Sequence, residues 1–468
     1  MMVRFGRLLL LIVLAGLAVR VGYVLLVVGD EPLKGDQVYY TGVANRLAQG
    51  HGFVDPYDTT RDVRRSGTAA SADHPPLTVV TLAPVAWVLD RVPGIDADTR
   101  RGDIHAFAFR LTFAVLGGLT VALIGLIGRE VAGDRAGLIA AGIAAVYPNL
   151  WVNDGLVMAE TLTVTLAALV LYLAYRYRRA PSTLTAVMLG AACGLAGLAR
   201  AEMILLVPCV AVPVLLGPRV QWRRHLTRAG VAVLAAAIVL GPWIVFNLTR
   251  FEDPTFLSTN DGQTLLGANC PGTYHGPATG LWLLSCLRDL PGDHSQVGTA
   301  SRRLAFDFMG EHADRLPAVA VIRVGRLWNL YGAGDMVWYN DGEGREKWVS
   351  RLGLWFFAPL AIFSVGGVFV LRRSWTKLWP LLVVIGLVTV VGALTYGQMR
   401  LRVPAEISVV VLAAVAIDAI TCALRRHPPT ETSADGPGPL PSPGSVSSTS
   451  LVGLGLVGGR SVEEGGEP

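Results

Sequence analysis

Uninterrupted apolar runs, several of them long enough to cross a lipid bilayer, dominate this chain. Crossing the hydrocarbon core as a helix takes about 20 residues. The candidate spans are Leu8–Val28, Ile104–Ile127, Ala136–Leu150, Leu156–Tyr175, Leu184–Leu198, Met203–Leu216, Gly230–Phe246, Leu352–Leu371, Leu378–Leu394 and Val403–Leu424. The third, fifth and sixth are short and need polar neighbours within the bundle or a locally thin bilayer. Only 16% of residues are charged and 52% are hydrophobic, whereas a soluble chain carries about a quarter charged residues. The fold class expected is an all-α polytopic membrane protein with about ten transmembrane helices.

Charge sets the expected topology. Arg4 and Arg7 precede the first run, which is longer than a signal-peptide core and lacks a clear cleavage site before Asp30. It reads as a retained first span with its basic end inside. The connections holding Arg176, Arg178 and Arg179, then Arg219, Arg223, Arg224 and Arg228, then Arg372, Arg373 and Lys377 contain no acid. With the N-terminus inside, all three fall in the cytoplasm, as the positive-inside rule asks. Both termini are then cytoplasmic, and the multi-pass chain sits in the cell membrane. The net charge of +5 follows this topology and does not point to nucleic acid. Two large loops, about 29–103 and 247–351, face the other side. An apolar piece, Leu77–Leu89, and a basic amphipathic piece, Arg315–Leu330, are expected to lie along the membrane surface. Cys270 and Cys286 share the second loop and could pair in an oxidising compartment. The Pro/Gly/Ser-rich residues 428–468 cannot bury enough apolar surface to fold. They are expected to form a disordered cytoplasmic tail to a membrane domain at 1–427.

Polar residues recur at the outer ends of the spans. Asp36 follows the first. Asn153, Asp154 and Glu160 lie around the start of the fourth. Arg200 and Glu202 lie between the fifth and sixth, Asn247 and Arg250 after the seventh, and Arg400, Arg402 and Glu406 around the start of the tenth. Ionisable groups at membrane depth are costly and usually face a cavity. One outward cavity would hold them all. Arginine forks bind phosphate oxygens in two places, and a carboxylate can take the proton of a hydroxyl or amine acceptor. That combination suits glycosyl transfer from a polyprenyl-phosphate carrier to an extracytoplasmic acceptor: a cell-envelope glycan, lipid or protein. A transporter or flippase of a lipid-linked glycan is the alternative. It would be expected to show repeated halves and broken midplane helices, and no repeat is evident.

Four pieces in order carry a family resemblance. They are Gly35-Asp36-Gln37-Val38-Tyr39-Tyr40 with Asp73-His74-Pro75-Pro76-Leu77, Ala144-Ala145-Val146-Tyr147-Pro148 with Met158-Ala159-Glu160-Thr161-Leu162, Gly194-Leu195-Ala196-Gly197-Leu198-Ala199-Arg200, and Gly241-Pro242-Trp243 with Asn247 and Arg250. Arg400-Leu401-Arg402-Val403-Pro404 adds to them. The chain resembles the C-superfamily of glycosyltransferases, in the branch of the protein O-mannosyltransferases and the aminoarabinose transferases that modify lipid A. The resemblance implies Asp36 as catalytic base in an inverting displacement, with a second acid at Glu160 or Asp154. It implies that Arg400 and Arg402, with Arg200, hold the carrier phosphate. Tyr40, His74 and Arg250 complete the expected substrate-binding set. Structural roles compete with each assignment. Asp36 could cap a helix starting at Gln37, Glu160 could pair with Arg200, and Arg402 could reach lipid headgroups. His74 is read as substrate-loop packing and not as a metal ligand. A divalent cation between the two acids stays open, since no ligand spacing requires one.

Overall fold

The computed structural model describes residues 2–57, 69–93, 101–216 and 222–426. The proposed tail at 428–468 lies outside them. The described chain is helical: α1 (Met2–Tyr23, continued by a π turn Val24–Val28), α2 (Asp36–Ala48), α3 (Leu77–Leu89), α4 (Arg101–Ala132), α5 (Asp134–Val146), α6 (Pro148–Asp154), α7 (Glu160–Arg179) and α8 (Thr183–Ala199). A broken segment, Ala201–Leu205 and Val207–Ala211, leads to α9 (Val212–Leu215). Then come α10 (Trp222–Leu248), α11 (Asp261–Ala268), α12 (Pro271–Tyr274), α13 (His294–Glu311), α14 (Leu316–Leu327), α15 (Ala333–Asp341), α16 (Lys347–Leu371), α17 (Trp375–Leu394) and α18 (Val403–Arg426).

Among the described residues six helices are long and apolar enough to cross a membrane, within α1, α4, α10, α16, α17 and α18. Helices α5 and α6, bent by 56° at Tyr147, make a seventh if taken as one span. The other expected spans are also helical, but they differ in kind. Helix α7 is 20 residues long and almost wholly buried. Its threonines explain its lower hydropathy. Thr163 and Thr165 donate to the carbonyls four residues back, and Thr165 also meets Thr120 at 2.6 Å. Hydroxyls satisfied this way sit inside a bundle without exposed polarity. Helix α8 is short, and its small residues let it press against α10. A Cβ at Gly190 would lie 2.0 Å from the Ala232 carbonyl oxygen, the close backbone approach favoured where lipid supplies no hydrophobic drive.

An ion pair inside the apolar bundle locks α1. Arg20 and Asp154 are both buried, with Nε 2.6 Å from Oδ2. Arg20 also donates to the carbonyls of Gly16, Ala145 and Ala144, and Thr161 donates to the other Asp154 oxygen. A Cβ at Gly117 would fall 2.0 Å from Asp154 Oδ2, so only glycine lets α4 pass here.

The two long loops interlock. Arg250 donates to the carbonyls of Phe53 and Ser71, and the Thr259 N–H donates to Ala72. His294, at the start of α13, lies 3.3 Å from Asp55 and 3.0 Å from Asp73. Hydrogen bonds to these two carboxylates outweigh burial and push its pKa up to about 10. Cys270 and Cys286 are disulfide-bonded. In the segment expected to lie along the membrane surface, α14 turns its arginines inward. Arg323 and Arg326 are buried, donating to the carbonyls of Ala268, Thr279 and Pro277, while Val321 and Leu330 are exposed. Its inner arginines face protein and not headgroups, because loop carbonyls there need donors.

Two stability predictions follow from these contacts. Asp154→Ala leaves the Arg20 charge buried without its carboxylate and lowers stability by about 3–5 kcal/mol, read as reversible unfolding in detergent. The His294 clasp contributes fully below pH 6.5, its ordinary pKa, and is lost as pH rises through about 10. The melting-temperature gap between wild type and His294→Gln should therefore shrink over that window.

Candidate active site

Four helix ends and the two loops meet around a cavity of about 410 Å³. Asp36 begins α2 on one side. Glu160 begins α7, Arg200 ends α8, and Arg400 stands in the turn Met399–Arg402 that leads into α18. All four side chains line the cavity, as do Tyr40 and His74. The convergence expected from polar residues at span ends is present for these six.

Arg400 is the hub. Its Nη1 lies 2.9 Å from Asp36 Oδ2 and 3.2 Å from Glu343 Oε2, and its Nε lies 4.0 Å from Glu160 Oε1. Nη2 donates to the Tyr396 hydroxyl at 3.4 Å. Arg200 forms a second centre, 3.1 Å from Glu160 and 2.7 Å from Glu202. Glu160 therefore touches both cations and is itself buried. Asp36 keeps 31% of its side-chain surface open, the most accessible carboxylate in contact with Arg400. Burial works against its charge, but Arg400 and His74 outweigh burial and hold its carboxyl well below the usual range. His74 Nε2 stands 3.8 Å from the other Asp36 oxygen, and its ring stacks on Tyr40 at 5.0 Å. Asp36 does not act as a helix cap. The N-cap is Gly35, whose φ of +56° suits glycine, and no side chain caps this end.

The remaining three expected site residues lie elsewhere. Asp154 is taken by Arg20, as described, and does not line the cavity. Arg402 is fully buried between α18 and α16. It pairs with Glu406 at 2.7 Å, donates to the Leu327 carbonyl and lies over the Phe357 ring at 3.7 Å. It neither enters the cavity nor reaches the lipid surface. Arg250 braces the first loop from behind the cavity wall. Among the described residues no group of three or more His, Cys, Asp or Glu side chains is set to hold a metal ion.

Two lining groups carried no signal in the sequence reading. Glu343 comes from the far end of the second loop. Burial drives its pKa upward. Arg400 opposes this and the Asp36 and Glu160 charges reinforce it, for a net upward shift. Tyr396 comes from the end of α17. The buried Gln37 ties this corner together, donating to the Glu343 carbonyl and accepting from the Val157 N–H, both at 3.2 Å. A turn rich in Gly and acid, Asp341-Gly342-Glu343-Gly344, reads as an ordinary surface turn unless its partner is known.

A family model described as dolichyl-phosphate-mannose-protein mannosyltransferase matches residues 100–246, the stretch that includes α7, α8 and most of α10. No curated protein sequence matches the chain. Among solved structures, the archaeal oligosaccharyltransferase AglB from Archaeoglobus fulgidus, in complex with an inhibitory peptide and a dolichol-phosphate, is similar over 93% of this chain at 16% identity and a TM-score of 0.54. The same enzyme tethered to an acceptor peptide is similar over 90%, at 15% identity and a TM-score of 0.53. This chain spans about half the length of those structures, 52% and 50%. ArnT from Cupriavidus metallidurans bound to undecaprenyl phosphate overlaps more loosely, at 16% identity and a TM-score of 0.40, over 90% of this chain and 79% of that one. The family match and the shared fold bear out the resemblance read from the motifs: the chain is an integral membrane protein with the fold of the C-superfamily of membrane glycosyltransferases.

Proposed function

We propose that the chain transfers a sugar from a polyprenyl-phosphate carrier to an extracytoplasmic acceptor, with Asp36 as the base. The observation that carries this reading is the pairing around Arg400. A partly open carboxylate, a buried second acid and two arginines share one cavity. The mannosyltransferase family model supports it, as does the fold shared with an enzyme whose structure holds a dolichol-phosphate.

The lipid phosphate would take the forks of Arg400 and Arg200 in place of the carboxylates they now hold. Displacing Asp36 from Arg400 frees its oxygens and removes the charge that keeps its basicity low. The acceptor hydroxyl oxygen then attacks the anomeric carbon, and the bond from that carbon to the phosphate oxygen breaks. The phosphate leaves on its lipid with the electron pair, the acceptor proton passes to Asp36, and the anomeric configuration inverts. Glu160 keeps the two arginines in register as their partners exchange, while His74 and Tyr40 wall the acceptor side. Residues 1–427 form the catalytic membrane body, 428–468 a tail. Both termini lie in the cytoplasm and the cavity opens on the outer face of the cell membrane.

The test is transfer from a panel of radiolabelled polyprenyl-phosphate sugars in membranes carrying wild type or Asp36→Asn. Loss of a positioned base predicts a fall of about 10²-fold or more with expression unchanged. Equal labelling by the variant would remove Asp36 from the reaction. Lipid-linked label that changes leaflet without reaching an acceptor would favour a flippase.

A further inference from the structure

A second cavity, of about 620 Å³, lies at the opposite end of the bundle. Helix α7 runs from one to the other: Glu160 lines the first and Arg178 the second. At 1.5 Å per residue the two lie about 27 Å apart along the helix, close to the hydrocarbon thickness of about 30 Å. The second cavity therefore sits at the other membrane face. The end of α7, α9, the first turns of α10 and the first turns of α17 line it, and among the described residues no acid does.

Its chemistry is that of a headgroup site. Arg178 has no carboxylate partner among the described residues, whereas the adjacent Arg179 pairs with Glu130 at 3.3 Å. The Arg178 guanidinium lies 5.9 Å from the Trp379 ring centre. Trp375, 61% exposed, and Trp379 stand on the same helix start, where indoles settle at headgroup level. Leu382 and Val383 give the floor an apolar wall. Arg176 near the end of α7 and Arg223 and Arg224 at the start of α10 stand on two of the same helix ends and make no ion pairs among the described residues. Cation above, indoles beside and hydrocarbon below match a phosphate, a glycerol backbone and acyl chains in that order.

We infer that this cavity binds the headgroup of an anionic phospholipid from the leaflet opposite the Asp36 cavity, with Arg178 on the phosphate and Trp375 and Trp379 flanking the glycerol. The site depends on the membrane fold and not on the proposed transfer reaction.

Native mass spectrometry of the full chain in detergent, titrated with phosphatidylglycerol or phosphatidylcholine, tests it. Phosphatidylglycerol is expected to be retained preferentially. Arg178→Gln should weaken retention about fivefold, the worth of one interfacial arginine. Leu382→Trp fills the cavity while keeping every charge and should weaken it comparably. Arg303→Gln, an exposed arginine on α13, should change nothing. Equal retention of the two lipids would overturn the site, as would unchanged binding by Arg178→Gln or Leu382→Trp. An equal loss in Arg303→Gln would reduce it to diffuse charge.

Discussion

One guanidinium holds the walls of the cavity together. Arg400 reaches Asp36, 364 residues earlier in the chain, and shares its remaining capacity with Glu343 and Glu160. A cation at membrane depth is tolerated only with partners, and those partners come from the first loop, the second loop and the start of α7. The same contacts that make Arg400 bearable thus bring together the segments that wall the cavity.

A shared cation also explains why such a site would be both stable and reactive. Both arginines are held by carboxylates, and Arg400 and His74 keep Asp36 weakly basic. An anionic phosphate competes for the same forks. Its arrival would strengthen Asp36 as a base at the moment an acceptor needs one. At the cavity wall, where Asp73 is a lining residue, the Asp55–His294–Asp73 clasp holds the residue next to His74, and the Arg250 brace holds Ser71 just before it.

Much of this was legible in the sequence, and the failures have physical causes. Apolar runs of about 20 residues mark helices whatever their neighbours, so α1, α4, α10, α16, α17 and α18 were foreseeable. Span ends carrying acids and arginines marked Asp36, Glu160, Arg200 and Arg400 because a bilayer gives such residues no other cheap location. Rotation about the chain axis was not legible. Arg400 and Arg402 stand two apart on a 3-10 turn, which has three residues per turn, so they face different directions and only one enters the cavity. Asp154 and Glu160 flank the same span end, but Asp154 is taken by Arg20 from within the first apolar run. An arginine there was itself a signal for a buried acid. On α14 the amphipathic pattern does not say which face meets protein, and it is the arginines that turn inward. Glu343 meets Arg400, 57 residues away, and Gln37, 306 residues away, contacts that no local pattern encodes.

The most direct measurement is the structure of the full chain in a lipid nanodisc with a polyprenyl phosphate added. The phosphate is expected between Arg400 and Arg200, with Asp36 released from Arg400 and facing the open side of the cavity. A phosphate bound elsewhere, or one in the cavity that leaves the Arg400–Asp36 pair intact, would contradict the exchange of partners on which the proposed reaction rests.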